Sequence, residues 1–150
     1  MAALKDIISI IKAVANMQPA VNSSFEGDPY QILNSNRQLR YATFVISQQK
    51  HTDDIVNGFV RYRFYLIYAD RLRQNLEENR IDIQSNGMDC LRNIISTLSS
   101  EIDWDIIKVV YHNFEQKFSD ELAGCYADVE IEIPVDWLCP EIFGELIYEG

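Results

Sequence analysis

Few side chains in this sequence could carry out a reaction. The two histidines are His51, in the polar stretch KHTDD, and His112, which shares a predicted strand face with Lys108 and Gln116. A catalytic histidine needs a nucleophile or a carboxylate held within hydrogen-bonding reach. We therefore interpret both as ordinary surface or partly buried histidines. A pocket that joins either one to a carboxylate would instead favour a small-ligand enzyme.

Two groups of carboxylates could in principle bind a hard cation. Asp53 and Asp54 are adjacent but lack the further oxygen ligands of a calcium loop. Asp128, Glu130 and Glu132 alternate along a predicted strand, which spaces them by about 7 Å, too far apart for compact coordination. The chain also lacks the P-loop, G-x-G-x-x-G, G-x-S-x-G and H-E-x-x-H motifs. We expect no enzymatic activity, no cofactor and no bound metal.

The three cysteines, Cys90, Cys125 and Cys139, are widely separated and form no C-x-x-C pair. This spacing indicates neither a disulfide framework nor a zinc ribbon, so we expect reduced and mostly buried thiols. No stretch approaches the roughly 18 consecutive apolar residues of a membrane span, and the first residues do not resemble a signal peptide. The sequence predicts a protein that is made and folded in a cytosol and does not enter a membrane.

The net charge of −10 is distributed unevenly. Residues 1–100 contain 10 acidic and 11 basic side chains, whereas residues 101–150 contain 13 acidic side chains against Lys108 and Lys117 alone. A nucleic-acid-binding protein needs a clustered basic face. An acidic surface repels phosphate, which is useful where DNA must pass without sticking.

The first part of the chain is predicted to form a helix, a loop and a hairpin. Apolar residues at helical spacing predict a helix over residues 2–16, and a stretch rich in Asn, Ser, Gly and Pro predicts an irregular loop over 18–40. Residues 41–49 and 60–69 are predicted to pair as antiparallel strands with a long polar tip. In the second strand the even positions from Val60 to Tyr68 face one way. The odd positions, which include Arg61, Arg63, Tyr65 and Ile67, face the other.

The segment after the hairpin is predicted to be helical, as one kinked helix or as two. Asp70 is expected to cap a helix through Leu72 and Leu76, and Ser85 or Asn86 to cap another that ends near Ser99. An extended or irregular piece containing Ile81 and Ile83 would lie between them. Arg61 and Arg63 could meet a phosphate, but we favour an ion pair with a carboxylate, including one on a neighbouring subunit.

Two further strands and an apolar extension complete the chain. Residues 106–118 are predicted to be a strand in which Ile106, Val110, Phe114 and Phe118 share one face. Residues 123–133 alternate strictly, so that one face is core and the other displays Asp128, Glu130 and Glu132 before Pro134 ends the strand. The extension over residues 135–150 is too apolar to be left in water. Its candidate contact residues are Trp137, Leu138, Phe143 and Tyr148.

These elements predict a single α+β domain over residues 1–150. Its antiparallel sheet would have about four strands packed on two or three helices, in the order α-β-β-α-β-β.

This order resembles the tail terminator and neck ring proteins of tailed bacteriophages. The segments that carry the resemblance are RFYLIYADRLRQNLEEN, IQSNGMDCLRNIISTL and FEQKFSDELAGCYADVEIEIP. The resemblance implies a structural virion protein, produced in the host bacterial cytoplasm, whose copies close into a hexameric or dodecameric ring between portal and tail. DNA would pass through the ring without specific binding, and the neighbours would be portal, neck or tail proteins.

Within that interpretation, Asp128, Glu130 and Glu132 are the candidate acidic strip facing the channel. Arg61, Arg63 and the extension are the candidate subunit interface. The alternative is a non-enzymatic cytosolic binding or adaptor module of the same α+β class.

Overall fold

The computed structural model of the chain describes residues 4–27, 42–71, 77–102, 104–117 and 121–134. Within them the chain forms, in order, α1 (Leu4–Asn16), β1 (Ser23–Glu26), β2 (Thr43–Asp54), β3 (Phe59–Arg71), α2 (Glu77–Ser100), β4 (Asp105–Lys117) and β5 (Glu121–Pro134). The α+β class is as predicted, with two helices in the described residues, but the sheet has five strands rather than about four.

The sheet is mixed, with the strand order β1-β2-β3-β5-β4. Every neighbouring pair is antiparallel except β1 and β2, which are parallel. The predicted wholly antiparallel sheet is therefore wrong, because part of the predicted loop over residues 18–40 is the edge strand β1. Long-range contacts hold this strand: the Ser23 hydroxyl donates to Thr43 Oγ1 over 2.9 Å, and the Gly27 N–H donates to the Ile46 carbonyl over 2.9 Å.

The β2–β3 hairpin has a short turn instead of the predicted long polar tip. Strand β2 continues through the polar residues to Asp54, with a register shift between Gln48 and His51 that marks a β-bulge. Both the backbone N–H and the side-chain amide of Asn57 donate to the Asp54 carboxylate, over 3.2 and 2.9 Å. Gly58 has a φ of 74°, a backbone conformation that glycine adopts without a Cβ penalty.

Helix α2 is continuous, which settles the question of one helix or two for residues 77–100. Ile81, Ile83, Ser85 and Asn86 all lie in its interior, so the predicted irregular piece and the predicted cap are wrong. The sequence obscured the helix because its N-terminal half is polar and contains Gly87. Tertiary packing overrides that weak propensity.

The strand β3 runs further than predicted. Asp70 pairs with Ala123 and Arg71 pairs with Leu122 across the β3–β5 ladder. Asp70 is thus a strand residue, and the predicted helix does not begin at residue 71. The rest of the predicted helix, over residues 72–76, lies outside the described residues.

The core lies between one face of the sheet and both helices. Its helical side consists of the buried stripes of α1 and α2, and its sheet side consists of alternating positions on β2, β3 and β5. The predicted alternation of β3 and β5 is confirmed. The fully buried large side chains of this layer include Ile7, Ile11, Phe44, Phe64, Leu66, Leu91, Ile94, Leu98 and Ile131.

Strand β4 departs from its predicted face pattern. The register with β5 shifts between Ile106 and Lys108, so a bulge lies at Ile107. Ile106 packs against the core, whereas Phe114 packs on the opposite face of the sheet. The prediction that these two share a face is wrong, because one inserted residue reverses the side to which every later residue points.

Candidate interaction surface

The face of the sheet opposite α1 and α2 carries most of the sequence-predicted site residues, and no described helix packs against it. We call it the open face. It is built from the odd positions of β3 and the even positions of β5, with Val45 of β2 and the even positions of β4 from Lys108 onward. The arginines of β3 thereby lie next to the carboxylates of β5.

Two ion pairs cross the β3–β5 boundary of the open face. The Arg63 guanidinium donates two hydrogen bonds to the Asp128 carboxylate, from Nε over 2.8 Å and from Nη2 over 2.6 Å. Arg61 Nε lies 3.4 Å from Glu132 Oε1, a longer contact through one nitrogen. Arg63 is directly opposite Glu130 in the ladder but bonds the carboxylate two residues away. A long side chain leaning along its strand makes that diagonal contact.

The Arg63–Asp128 pair is the stronger of the two. Its two parallel N–H···O bonds match the planar fork of a guanidinium to a carboxylate. The hydrogen bond from Arg63 lowers the pKa of Asp128 against the opposing effect of partial burial, and the charges of Arg63, His112 and Lys108 lower it further. The same contact raises the pKa of Arg63 above its ordinary value.

The predicted acidic strip is consequently not a row of uncompensated charges. Asp128, Glu130 and Glu132 do alternate with buried residues along β5. Asp128 and Glu132 are paired within the chain, and Glu130 lies between Arg63 on β3 and Lys108 on β4 in the ladder. The arginines that were expected to reach a neighbouring subunit bond this chain's own carboxylates. Whether either group faces a channel or a neighbour stays a prediction.

An aromatic patch occupies the other end of the open face. It consists of Phe25, Tyr65, Phe114 and Tyr126, all partly buried, packed around the buried side chains of Val45 and Ile67. The rings of Tyr65 and Tyr126 have centroids 5.0 Å apart, and the Arg63 guanidinium lies 5.7 Å from the Tyr65 centroid. Sequence reasoning missed this patch because Phe25 comes from the unpredicted strand β1 and Phe114 depends on the β4 bulge.

Both histidines lie against tyrosine rings. His112 is exposed and stacks on Tyr126, with ring centroids 4.8 Å apart. His51 is also exposed, lies edge-on to Tyr62 with centroids 4.9 Å apart, and has Nε2 3.3 Å from the Gln48 side-chain oxygen. Across the described ranges, no cluster of three or more His, Cys, Asp or Glu side chains could hold a metal ion.

The tip of the β2–β3 hairpin presents two apolar side chains to solvent. Ile55 is 71% exposed and Val56 is 93% exposed. Both follow Asp54, whose pKa is lowered by its hydrogen bonds from Asn57. Large apolar side chains on a turn that is itself well ordered by hydrogen bonds are suited to a contact with another molecule.

The remaining predicted positions are divided between core and undescribed chain. Cys90 and Cys125 are free and buried, as expected, and burial raises their pKa values to about 11 and about 12. Cys139 and the extension residues Trp137, Leu138, Phe143 and Tyr148 lie outside the described residues.

Neither α1 nor α2 has the length and apolar character needed to cross a bilayer.

No protein-family model matches the chain, and no curated protein matches it.

Proposed function

We propose that this chain is a ring-forming structural subunit of a tailed bacteriophage, of the tail terminator or neck type, through whose ring DNA passes. The order of the described elements supports the proposal. It follows the sequence α-β-β-α-β-β of that resemblance, with β1 added at one edge of the sheet.

The single observation that carries the proposal is the one-sided layering of the sheet. Both described helices pack on one face, which leaves on the other an aromatic patch beside a set of charges. Proteins that assemble head to tail need two different surfaces that fit each other, because the same contact repeats around the ring. The aromatic patch and the exposed hairpin tip at Ile55 and Val56 are two such surfaces on one subunit.

The charges of the open face suit a surface past which DNA slides. Four carboxylates, those of Asp105, Asp128, Glu130 and Glu132, lie beside Arg61, Arg63 and Lys108 on the three strands. A face on which charges of both signs lie side by side offers phosphate no cluster of cations, so it gains little from counterion release. A channel lined in this way would neither bind DNA tightly nor repel it strongly.

The alternative is a non-enzymatic cytosolic binding or adaptor module of the same α+β class. The observation that favours it is that both ion pairs of the open face, Arg63–Asp128 and Arg61–Glu132, form within one chain. Ion pairs that form within a single copy do not require a neighbouring subunit.

The deciding experiment is mass photometry together with negative-stain electron microscopy of the purified protein at several concentrations, alone and with its phage neighbours. Rings of six or twelve copies would support the proposal. A monomer under all of these conditions would favour the adaptor module.

Two variants sharpen that experiment. Val56→Ser removes an exposed apolar side chain from the hairpin tip, and Ile81→Ser makes the same kind of change on the exposed side of α2. The proposal expects Val56→Ser to reduce assembly and Ile81→Ser to leave it unchanged. Equal effects, or none, would show that the tip is not a subunit contact.

A third variant tests the extension. Deleting residues 137–150 is expected to impair assembly more than folding, since its apolar residues are the candidate contacts with a neighbour. An unfolded deletion variant would show instead that the extension belongs to the core of its own subunit. Circular dichroism and mass photometry on the same sample distinguish the two results.

A further inference from the structure

A cavity separate from the open face lies on the helical side of the sheet. Its volume is about 510 Å³, and its walls come from the segment after α1, the start of β2, the end of β3 and one side of α2. This volume is within the range of roughly 300–1,000 Å³ that is usual for small-molecule sites. Nothing in the proposed ring function uses it.

The cavity is lined by a buried tyrosine whose hydroxyl has no hydrogen-bond partner among the described residues. Tyr68 is only 4% exposed and is one of the lining residues. Among the described residues no hydrogen bond reaches its hydroxyl, although buried tyrosine hydroxyls usually have a partner. Burial raises the pKa of Tyr68 to about 12, with a further contribution from the nearby Asp70 charge, so the hydroxyl is neutral.

The position of the Tyr68 ring is fixed by the helix beside it. Gly87 of α2 has no Cβ, and a Cβ built there would lie 2.7 Å from Tyr68 Cδ1. The ring therefore packs directly on the helix backbone beside the lining residues Asn86 and Cys90. A hydroxyl without a partner at a rigidly packed position costs free energy unless water or a ligand bonds it.

The charges around the cavity have one sign. Asp70 on β3 and Asp89 on α2 both line it, and the lining residues within the described ranges include no Lys, Arg or His. Neither carboxylate forms an ion pair with a described side chain, although Asp70 Oδ1 accepts a hydrogen bond from the Arg71 backbone N–H over 2.8 Å. Asn86 and Asn93, which lie about two helical turns apart on α2, add amide oxygens as further acceptors. These groups suit a cationic ligand with several N–H donors.

We propose that this cavity binds an organic cation that carries a primary ammonium or guanidinium group. Asp70 and Asp89 supply the opposing charge, and the Tyr68 hydroxyl oxygen accepts one of the ligand's N–H groups. The cation is either a free small amine or the lysine or arginine side chain of another protein. The inference is independent of ring assembly and holds for a monomer.

The test is isothermal titration calorimetry of the full-length protein with 1,4-diaminobutane and agmatine, using 1,4-butanediol as the neutral probe of matched length. We expect the two cations to bind and the diol not to bind. Nα-acetyl-lysine methylamide distinguishes the sources: tighter binding of this probe than of diaminobutane points to a protein side chain, and the reverse points to a free amine. Absence of binding by all the cations at millimolar concentration would overturn the proposal.

Three variants show whether binding occurs in this cavity. Asp89→Asn should weaken binding by about tenfold or more, because it removes a charged hydrogen-bond acceptor. Asp82→Asn changes the net charge equally at an exposed position of α2 that does not line the cavity, and should leave the affinity unchanged. Equal weakening in both variants would show nonspecific attraction to an acidic protein and would overturn the proposal.

The third variant, Tyr68→Phe, tests the unpartnered hydroxyl. It should weaken cation binding while leaving the ligand-free protein as stable as the wild type or slightly more stable, because no residue in the described ranges bonds the hydroxyl. A less stable Tyr68→Phe protein, measured by urea denaturation without ligand, would show that the hydroxyl has a structural role and would overturn its assignment to the site.

Discussion

Replacing Gly124 by alanine is expected to disrupt the centre of the sheet. Gly124 lies on β5 and pairs with Ala69 on β3. A Cβ at this position would lie 1.8 Å from the Tyr68 carbonyl oxygen, 2.9 Å from the Tyr68 carbonyl carbon and 3.1 Å from the Ala69 Cα. All three neighbours are backbone atoms, so rotation of a side chain cannot relieve the contact.

The size of the effect follows from those distances. A carbon and a carbonyl oxygen approach to about 3.3 Å, so the two strands would have to separate locally by roughly 1.5 Å. Strands β3 and β5 are held on their outer sides by β2 and β4, which limits that movement. Overpacking that side chains can absorb costs about 1–3 kcal/mol. We expect a loss of about 3 kcal/mol or more here, a large part of the roughly 5–15 kcal/mol by which a domain is stable.

Gly87→Ala is the matched comparison, because the same methyl group meets side-chain atoms instead of backbone atoms. Its Cβ would contact the Tyr68 ring at 2.7 Å and the Cys125 thiol at 3.0 Å. Alanine also gains about 1 kcal/mol over glycine inside a helix. We expect the cost of packing against the buried Tyr68 ring, about 1–3 kcal/mol, to exceed this gain, which leaves a net loss of up to about 2 kcal/mol that is smaller than the loss in Gly124→Ala.

Urea denaturation followed by tryptophan fluorescence and circular dichroism measures both changes, provided that the two signals give coincident transitions. The expected order of midpoints is wild type, then Gly87→Ala, then Gly124→Ala well below. A Gly124→Ala protein with the wild-type midpoint would refute the reasoning. So would a larger loss in Gly87→Ala, because the distinction between backbone and side-chain neighbours would then have no predictive value.

Three further predictions concern the open face and the hairpin turn. A double-mutant cycle with Arg63→Gln and Asp128→Asn should give a larger coupling energy than the same cycle on Arg61 and Glu132. The reason is that the first pair has two short hydrogen bonds and the second has one long contact. Equal coupling energies would contradict the conclusion that Arg63–Asp128 is the stronger pair. Because the pKa of Asp128 is lowered, its contribution to stability is complete above the unfolded-state pKa of about 3.9 and disappears as the pH falls through the folded-state pKa. When urea midpoints are measured at successively lower pH, they should therefore fall less steeply in Asp128→Asn than in the wild type. Gly58→Ala should lower the free energy of unfolding by about 1 kcal/mol because of the positive φ, and a destabilisation by Gly58→Asn of the same size would argue against backbone strain as the cause.

The spacing of apolar residues predicted the elements in which buried positions recur at the regular interval of a helix or a strand. Strand β5 alternates apolar and polar residues over eleven positions, and α1 repeats apolar residues at helical spacing, so both were found from the sequence. The assignment of even and odd positions of β3 to opposite faces was also confirmed. These elements carry most of the core, which is why the α+β class could be predicted.

The elements that were missed depend on contacts distant in sequence. Strand β1 is a four-residue segment with one large apolar side chain, Phe25, and it exists through pairing with residues twenty positions later. The bulge at Ile107 leaves no signature in the sequence, yet it decides which face of the sheet Phe114 joins. Local propensity contains no information about either feature.

The candidate site was predicted by residue type but not by arrangement. The sequence indicated that Arg61, Arg63 and the carboxylates of β5 would point away from the core. Their mutual pairing depends on the register between β3 and β5, which is set by residues about 70 positions apart. The Tyr68 cavity could not be predicted at all, because it requires the end of β3, one side of α2 and the segment after α1 to converge.

The strand order has a consequence for how the protein is made in a cell. Among the described strands, the two halves of the sheet are joined where β3 pairs with β5, and the partners at the far end of that ladder are Phe59 and Pro134. On a ribosome, β3 is therefore synthesised long before its second neighbour, and one edge of this aromatic strand has no partner during that interval. Unpaired edges of apolar strands promote association between nascent chains. We expect fragments that stop short of Glu121 to require chaperones or to precipitate, and the rate-limiting step of refolding to be the late closure of this long-range ladder.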